Sequence, residues 1–177
     1  MAKMTSNPSL FSKYFDKIYA HNNWFTEDQV LFALSQWSNK LNHQSLTKWC
    51  NRYSLNMTGR KTVALILAGN IPLVGFHDIL TTLISGHRIK CKTSSKDPIL
   101  TRLIFERLIV IEPAFAEFIH WSEGPLNNFD AVIATGSNNS AYHFEQYFKN
   151  YPHIIRKNRT SVAVLIGNET TKELRAL

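Results

Sequence analysis

Thr62-Val63-Ala64-Leu65-Ile66-Leu67-Ala68-Gly69-Asn70-Ile71-Pro72 decides the fold. Val63 to Ala68 are apolar without a break, a run too short to cross a bilayer and suited to a strand covered on both faces. The run stops at Gly69, Asn70 and Pro72, and helical periodicity follows at once. A buried strand, a tight turn and a helix N-terminus make the usual cradle for a phosphorylated ligand in α/β proteins. Gly and Pro also follow strands for packing reasons alone, so at this point both readings are open.

Upstream, Thr58-Gly59-Arg60-Lys61 reads as a polar hinge. It divides the expected organisation into a helical region, residues 1–58, and an alternating α/β region, residues 59–177. Residues 1–7 read as a frayed start. Leu10, Tyr14 or Phe15, Ile18 and Tyr19 recur at helical spacing. Thr26 with Gln29 forms a capping-box-like start to a helix whose apolar face carries Val30, Leu31, Leu34 and Trp37. A further helix over 42–52 groups Leu46, Trp49 and Tyr53. Trp24, Trp37 and Trp49 read as core and packing surface, with the lining of a hydrophobic channel as the alternative.

Downstream, a helix over 72–85 is expected, with Pro72 opening it and Gly86 just past its end. His87–Thr93 reads as a second strand with Ile89 and Cys91 on one face. A helix follows from Asp97-Pro98 to about Ile111, then a short strand over 118–121. Asp130–Thr135 is the clearest later strand, running through Gly136-Ser137 towards a helix over 142–150. Strands at 153–156 and 161–166 and a helix from Glu169 complete the pattern. Alternating strands and helices predict an α/β fold, a Rossmann-like parallel sheet with right-handed crossovers. No G-x-G-x-x-G follows the first strand, which counts against the common dehydrogenases.

Composition narrows the class. The 177 residues carry 44% hydrophobic and 12% aromatic side chains, globular values that exclude disorder and fibrous repeats. The formal charge of +7 favours an anionic partner. Lys and Arg are scattered and not interleaved with aromatics, so a nucleotide or coenzyme A ester ranks above nucleic acid. Two cysteines, Cys50 and Cys91, form no metal pattern and point to a reducing cytoplasm, and no apolar leader or integral membrane segment is read.

Three separated segments resemble one family. Gly69-Asn70-Ile71-Pro72 resembles the Asn-x-Pro turn of the aldehyde dehydrogenase superfamily. Lys92-Thr93-Ser94-Ser95-Lys96-Asp97-Pro98 is similar to its Lys-Pro-Ser…Pro segment, and Ala134-Thr135-Gly136-Ser137 to its Phe-Thr-Gly-Ser turn. Within that superfamily, the wording of Ala68–Asp78 and Tyr151–Arg159 looks like the acyl-CoA reductases of the bioluminescence fatty-acid reductase type. The resemblance covers about Trp24 onwards and implies reduction of a long-chain acyl-CoA to an aldehyde through a cysteine thioester.

It also implies roles. Asn70 takes the place of the oxyanion donor, where the alternative is an Asn capping its own turn. Lys92 takes the place of the lysine at the adenosine ribose, with Ser94, Ser95 and Lys96 beside it. Ser95 stands where the family often has Glu, so the group that repels a 2′-phosphate is replaced and Lys96 adds a cation. NADP(H) is therefore the expected cofactor, with NAD(H) left open. Gly136 and Ser137 suit a pyrophosphate through free amides, a hydroxyl and the helix dipole, or serve as turn glycine and N-cap. Neither Cys50 nor Cys91 matches the family's nucleophile. That segment is expected beyond Leu177, leaving an N-terminal part, inactive alone, that is able to self-associate. A stand-alone nucleotide-binding or scaffold domain is the alternative. His77 and Asp78 are adjacent on a helix and point about 100° apart, so a structural role is preferred to a dyad.

Overall fold

The computed structural model describes residues 9–55, 59–159, 162 and 164–175. Five strands, β1 (Thr62–Ile66), β2 (Arg88–Lys92), β3 (Ile119–Trp121), β4 (Ala131–Thr135) and β5 (His153–Arg156), run parallel in the order β3-β2-β1-β4-β5. Helices α1 (Ser9–His21), α2 (Glu27–Lys40) and α3 (His43–Cys50) precede the sheet. Helices α4 (Phe76–Ile84), α5 (Leu100–Ile111) and α6 (Asn138–Phe148) follow β1, β2 and β4, and a single turn α7 (Thr171–Leu174) comes last. A 3-10 turn, Pro113–Glu117, leads into β3.

β1 is central because it can be dry on both sides. Val63 and Leu65 enter one core with Phe11, Val30, Leu34, Ile79 and Phe105, so α1, α2, α4 and α5 share that core with the sheet. Ala64 turns to the opposite face and packs with Val132, Ala134 and Phe148. Side chains alternate across a strand, so an unbroken apolar run needs cover on both faces. β2 has one such face: Ile89 and Cys91 are buried, while Lys90 and Lys92 lie on the other side.

Several boundaries move. α4 begins at Phe76, not Pro72, because residues 71–75 form a turn in which Leu73 takes φ 59°. Gly86, at φ 75°, closes the helix as expected, with the His87 N–H donating to Thr82 O at 3.1 Å. In α1 the buried face is Phe11, Phe15 and Ile18, while Tyr19 and, beyond the helix, Trp24 are exposed. The expected strand over 161–166 is absent at Val162 and 164–166, which are exposed and meet no neighbouring strand; Ser161 and Ala163 lie outside the described residues. Residues 1–7, read as frayed, also lie outside them. Glu169 does not open a helix, since its carboxylate accepts from the Ile166 and Gly167 N–H groups and delays the helix to Thr171.

Candidate functional site

The strand order reverses direction between β1 and β4, and the loops leaving their carboxyl ends flank the switch point at which sheets of this kind take ligands. The β1 loop is fastened from three sides. Leu67 N donates to Lys92 O at 3.1 Å, and Asn22 Nδ2 donates to Gly69 O at 2.9 Å. A Cβ on Gly69 would lie 2.8 Å from Ser94 Cβ and 3.1 Å from Asp97 N, so only glycine lets the loops after β1 and β2 touch. Leu73 is buried yet left-handed, a strained conformation that its apolar surroundings hold in place. Asn70 stands at the tip of this loop, exposed, and its amide makes no hydrogen bond with any described residue. It does not cap its own turn.

In the β2 loop, Lys92 Nζ donates to Gly124 O at 3.3 Å. Ser94 Oγ accepts from Lys96 N at 3.2 Å and thereby shapes the turn. Ser95 and Lys96 are exposed, and their side chains have no partner among the described residues. Asp97 is buried and caps α5, accepting from Thr101 Oγ1 at 2.6 Å and Thr101 N at 3.3 Å. Burial pushes its carboxyl above the ordinary range against the pull of those hydrogen bonds.

At the end of β4, a Cβ on Gly136 would meet Ser140 Cβ at 2.8 Å and Phe144 Cε2 at 3.1 Å. The Gly136 N–H is not free: it donates to Arg156 O at 3.1 Å and prolongs the sheet. Ser137 is the N-cap of α6, its Oγ accepting from Ser140 N at 3.2 Å. The helix positions without an intrahelical acceptor are therefore Asn138 and Asn139, one step beyond the expected pair.

One ion pair escaped sequence reading. Arg156, at the end of β5, reaches across β4 to α4, and its Nη1 donates to Asp78 Oδ1 and Oδ2 at 2.6 Å each. Asp78 is buried, and His77 Nδ1 lies 3.6 Å from Asp78 Oδ1. Both residues belong to the segments that resemble the reductases. Seventy-eight positions separate them, and no periodicity links side chains at that distance.

Ile71 and Pro72, which follow Asn70 in the chain, line a cleft of about 280 Å³ together with Phe32, Gln36, Trp37 and Lys40. A second, apolar groove of similar volume runs between α4 and α5 past Leu41, Phe76, Leu80, Leu83, Ile104 and Leu108. The Trp37 and Phe76 rings, 4.7 Å apart, join the linings of the two. Among the described residues no three His, Cys, Asp or Glu side chains converge on a metal-binding point, and no helix is long and apolar enough to cross a membrane.

Neither cysteine is placed as the catalytic nucleophile. Cys91 is buried in β2, and burial pushes its thiol up to about 12 although Arg102 pulls the other way. Cys50 is the last residue of α3, beside the carbonyl end of a helix, which does not favour an anion.

A parallel sheet in this order, covered by helices on both faces and carrying its loops at the carboxyl edge, is a doubly wound α/β protein. The acyl-CoA reductase (LuxC) family model matches residues 39–173, well over half of the chain, and the chain belongs to that family. No curated protein and no solved structure matches it.

Proposed function

We propose that this chain supplies the oxyanion donor and the cofactor-binding sheet of an NADPH-dependent reductase that converts a long-chain acyl-CoA to an aldehyde through a cysteine thioester. The observation that carries the reading is Asn70: an amide without a partner among the described residues, on a loop fastened by the Asn22–Gly69 bond and by close packing on Ser94. An unengaged donor on a rigid loop can meet an oxyanion with no reorganisation, which is where such donors lower a barrier.

In the proposed reaction a thiolate attacks the thioester carbonyl, and negative charge gathers on the carbonyl oxygen. The Asn70 Nδ2 group donates to that oxygen, the coenzyme A thiolate leaves, and an acyl-enzyme thioester remains. NADPH, when bound, supplies the hydride that turns this thioester into aldehyde and frees the thiolate. The cleft by Ile71 and Trp37 is apolar enough at its rim to take the start of an acyl chain.

Lys92, Ser94, Ser95 and Lys96 fit the adenosine side of the cofactor. The turn's only carboxylate, Asp97, is buried in its cap, so Lys96 faces a 2′-phosphate with no acid beside it in the turn. Ser137 and the first turn of α6 take the diphosphate through Asn138 and Asn139 amides, with Gly136 letting Ser140 and Phe144 of that helix pack close to the strand end. The thiolate is proposed to come from outside these residues, because neither Cys91 nor Cys50 is placed as the nucleophile. The chain by itself is then inactive.

Titration with NADPH and NADH, followed by nucleotide fluorescence, is expected to show tighter binding of NADPH. Equal or tighter NADH binding overturns the cofactor assignment. In an enzyme containing this segment, Asn70→Ala is expected to lower kcat by about 10²–10³ with unchanged melting temperature. An unaltered kcat sinks the oxyanion role, and aldehyde formation by the 177-residue chain alone sinks the external thiolate.

A further inference from the structure

We infer that Arg156 is a phosphate-binding residue at the switch point between β1 and β4, and that Asp78 is the positioning residue that aims it. The inference rests on the cofactor and acyl-CoA reading above, since both ligands carry a diphosphate. Arg156 begins on β5, opposite Thr135 in the register, and its side chain crosses the end of β4 to reach α4. Its guanidinium therefore spans the place where the strand order reverses, the usual ligand crevice of such a sheet.

The hydrogen-bond pattern shows which part of the group is committed. Both Asp78 oxygens take the single nitrogen Nη1, at 2.6 Å. Nε and Nη2, which form the parallel side-on fork of a guanidinium, have no partner among the described residues and are not sealed from solvent. The Arg156 side chain is 31% exposed against 7% for Asp78. A guanidinium needed only to neutralise a buried carboxylate would present that fork to it, because a two-nitrogen fork matches the paired oxygens of a carboxylate or a phosphate. Here the fork is kept for an outside ligand, and a phosphate oxyanion is the group whose geometry it fits.

Two of the other cations near this edge are committed, and Lys96 stands on the separate loop after β2. Lys157 Nζ is paired with Glu145 Oε1 at 2.8 Å, and Lys92 faces Gly124. The backbone of Arg156 is locked too, its carbonyl accepting from Gly136 N. A fixed backbone, a carboxylate on one edge of the guanidinium and an open fork on the other amount to a preorganised oxyanion receptor.

Calorimetric titration of the chain with NADP⁺ and, separately, with coenzyme A tests this. Arg156→Lys keeps the charge but loses the fork, and about tenfold weaker binding is expected for the ligand whose phosphate sits there. A loss confined to NADP⁺ assigns the cofactor's phosphates, and a loss confined to coenzyme A assigns the substrate's. Asp78→Asn is expected to weaken the same ligand. The exchange Asp78→Arg with Arg156→Asp restores the ion pair and the melting temperature but not the binding. Binding restored by the exchange, or unchanged in Arg156→Lys, makes the pair merely structural and overturns the inference while leaving the cofactor reading standing. Failure of both ligands to bind the wild-type chain overturns the inference and that reading together. A readout needing no variant is phenylglyoxal modification of the wild-type chain. Arg156 is expected to be labelled, and inorganic pyrophosphate to protect it; labelling unaffected by pyrophosphate counts against the assignment.

Discussion

Asp130 lies just before β4 and accepts from the Thr62 N–H at 2.7 Å, with Lys61 Nζ 3.6 Å away, so it pins the start of β1 to the start of β4. The Thr62 hydrogen bond, helped by the Lys61 charge, holds its carboxyl below the ordinary 3.8. A depressed carboxyl adds stability above its unfolded value and loses it as pH falls through the folded one. Asp130→Asn is therefore expected to lower the melting temperature at pH 7, with the difference shrinking below pH 3.8 and vanishing in stronger acid. A constant gap from pH 7 to pH 2 refutes the linkage. Asp97 contributes with opposite sign: its raised carboxyl penalises the charged form, so its share of stability falls as pH rises above 3.8. The cysteines give a second residue-scale test. With Cys91 buried and its thiol near 12, native chain at pH 8 is expected to expose one reactive thiol, Cys50, to a chromogenic disulfide, and two after unfolding. Labelling of Cys91 in the native state contradicts this burial.

At the scale of elements, the two glycines of the β1 loop are not equivalent. A Cβ at Gly69 meets Ser94 Cβ at 2.8 Å and the backbone nitrogen of Asp97 at 3.1 Å, while the three atoms nearest to one at Gly75 all belong to the Leu67 side chain, the first at 2.7 Å. Backbone yields less readily than a leucine rotamer. Gly69→Ala is expected to destabilise by about 1–3 kcal/mol and to move Asn70, with Gly75→Ala milder, as read from denaturant midpoints. Equal effects would mean that the loop contact is soft. The elements were legible where one chain segment decided them. The six apolar residues from Val63 announced a strand dry on both faces, Ile89 and Cys91 announced one dry face, and Gly86 announced a helix end. They were illegible where a distant contact decided. Pro72 satisfies the local rule for opening α4, but packing of Leu73 and Gly75 against the sheet delays the helix to Phe76. The apolar run after Thr160 reads as a strand, yet the described part of it finds no strand to pair with. Asn70, the proposed oxyanion donor, was singled out from its turn alone, whereas Asp78–Arg156 exists only because β5 comes to lie beside β4.

For the molecule as a whole, the sheet ends in a strand whose outer side is open among the described residues. β5 carries Ile154 at 53% exposure, and Val162, Val164 and Ile166 beyond it are all more than three-quarters exposed. An unpaired edge with apolar side chains is a template for another chain. Against this stands the net charge of +7, which repels a second copy over distances of about 10 Å at 0.1 M salt and less as salt rises. The two forces predict a direction. Sedimentation of the chain is expected to show concentration-dependent self-association that strengthens between low and moderate salt, because screening removes the repulsion and leaves the apolar contact. Ile154→Lys is expected to weaken that association at every salt concentration without unfolding the chain, since Ile154 is exposed and contributes little to the core. Nucleic-acid binding, the reading that competes for the same charge, has the opposite salt dependence, its affinity falling steeply as phosphate counterions return. A chain that stays monomeric at all salt concentrations rules out the edge as a self-association surface.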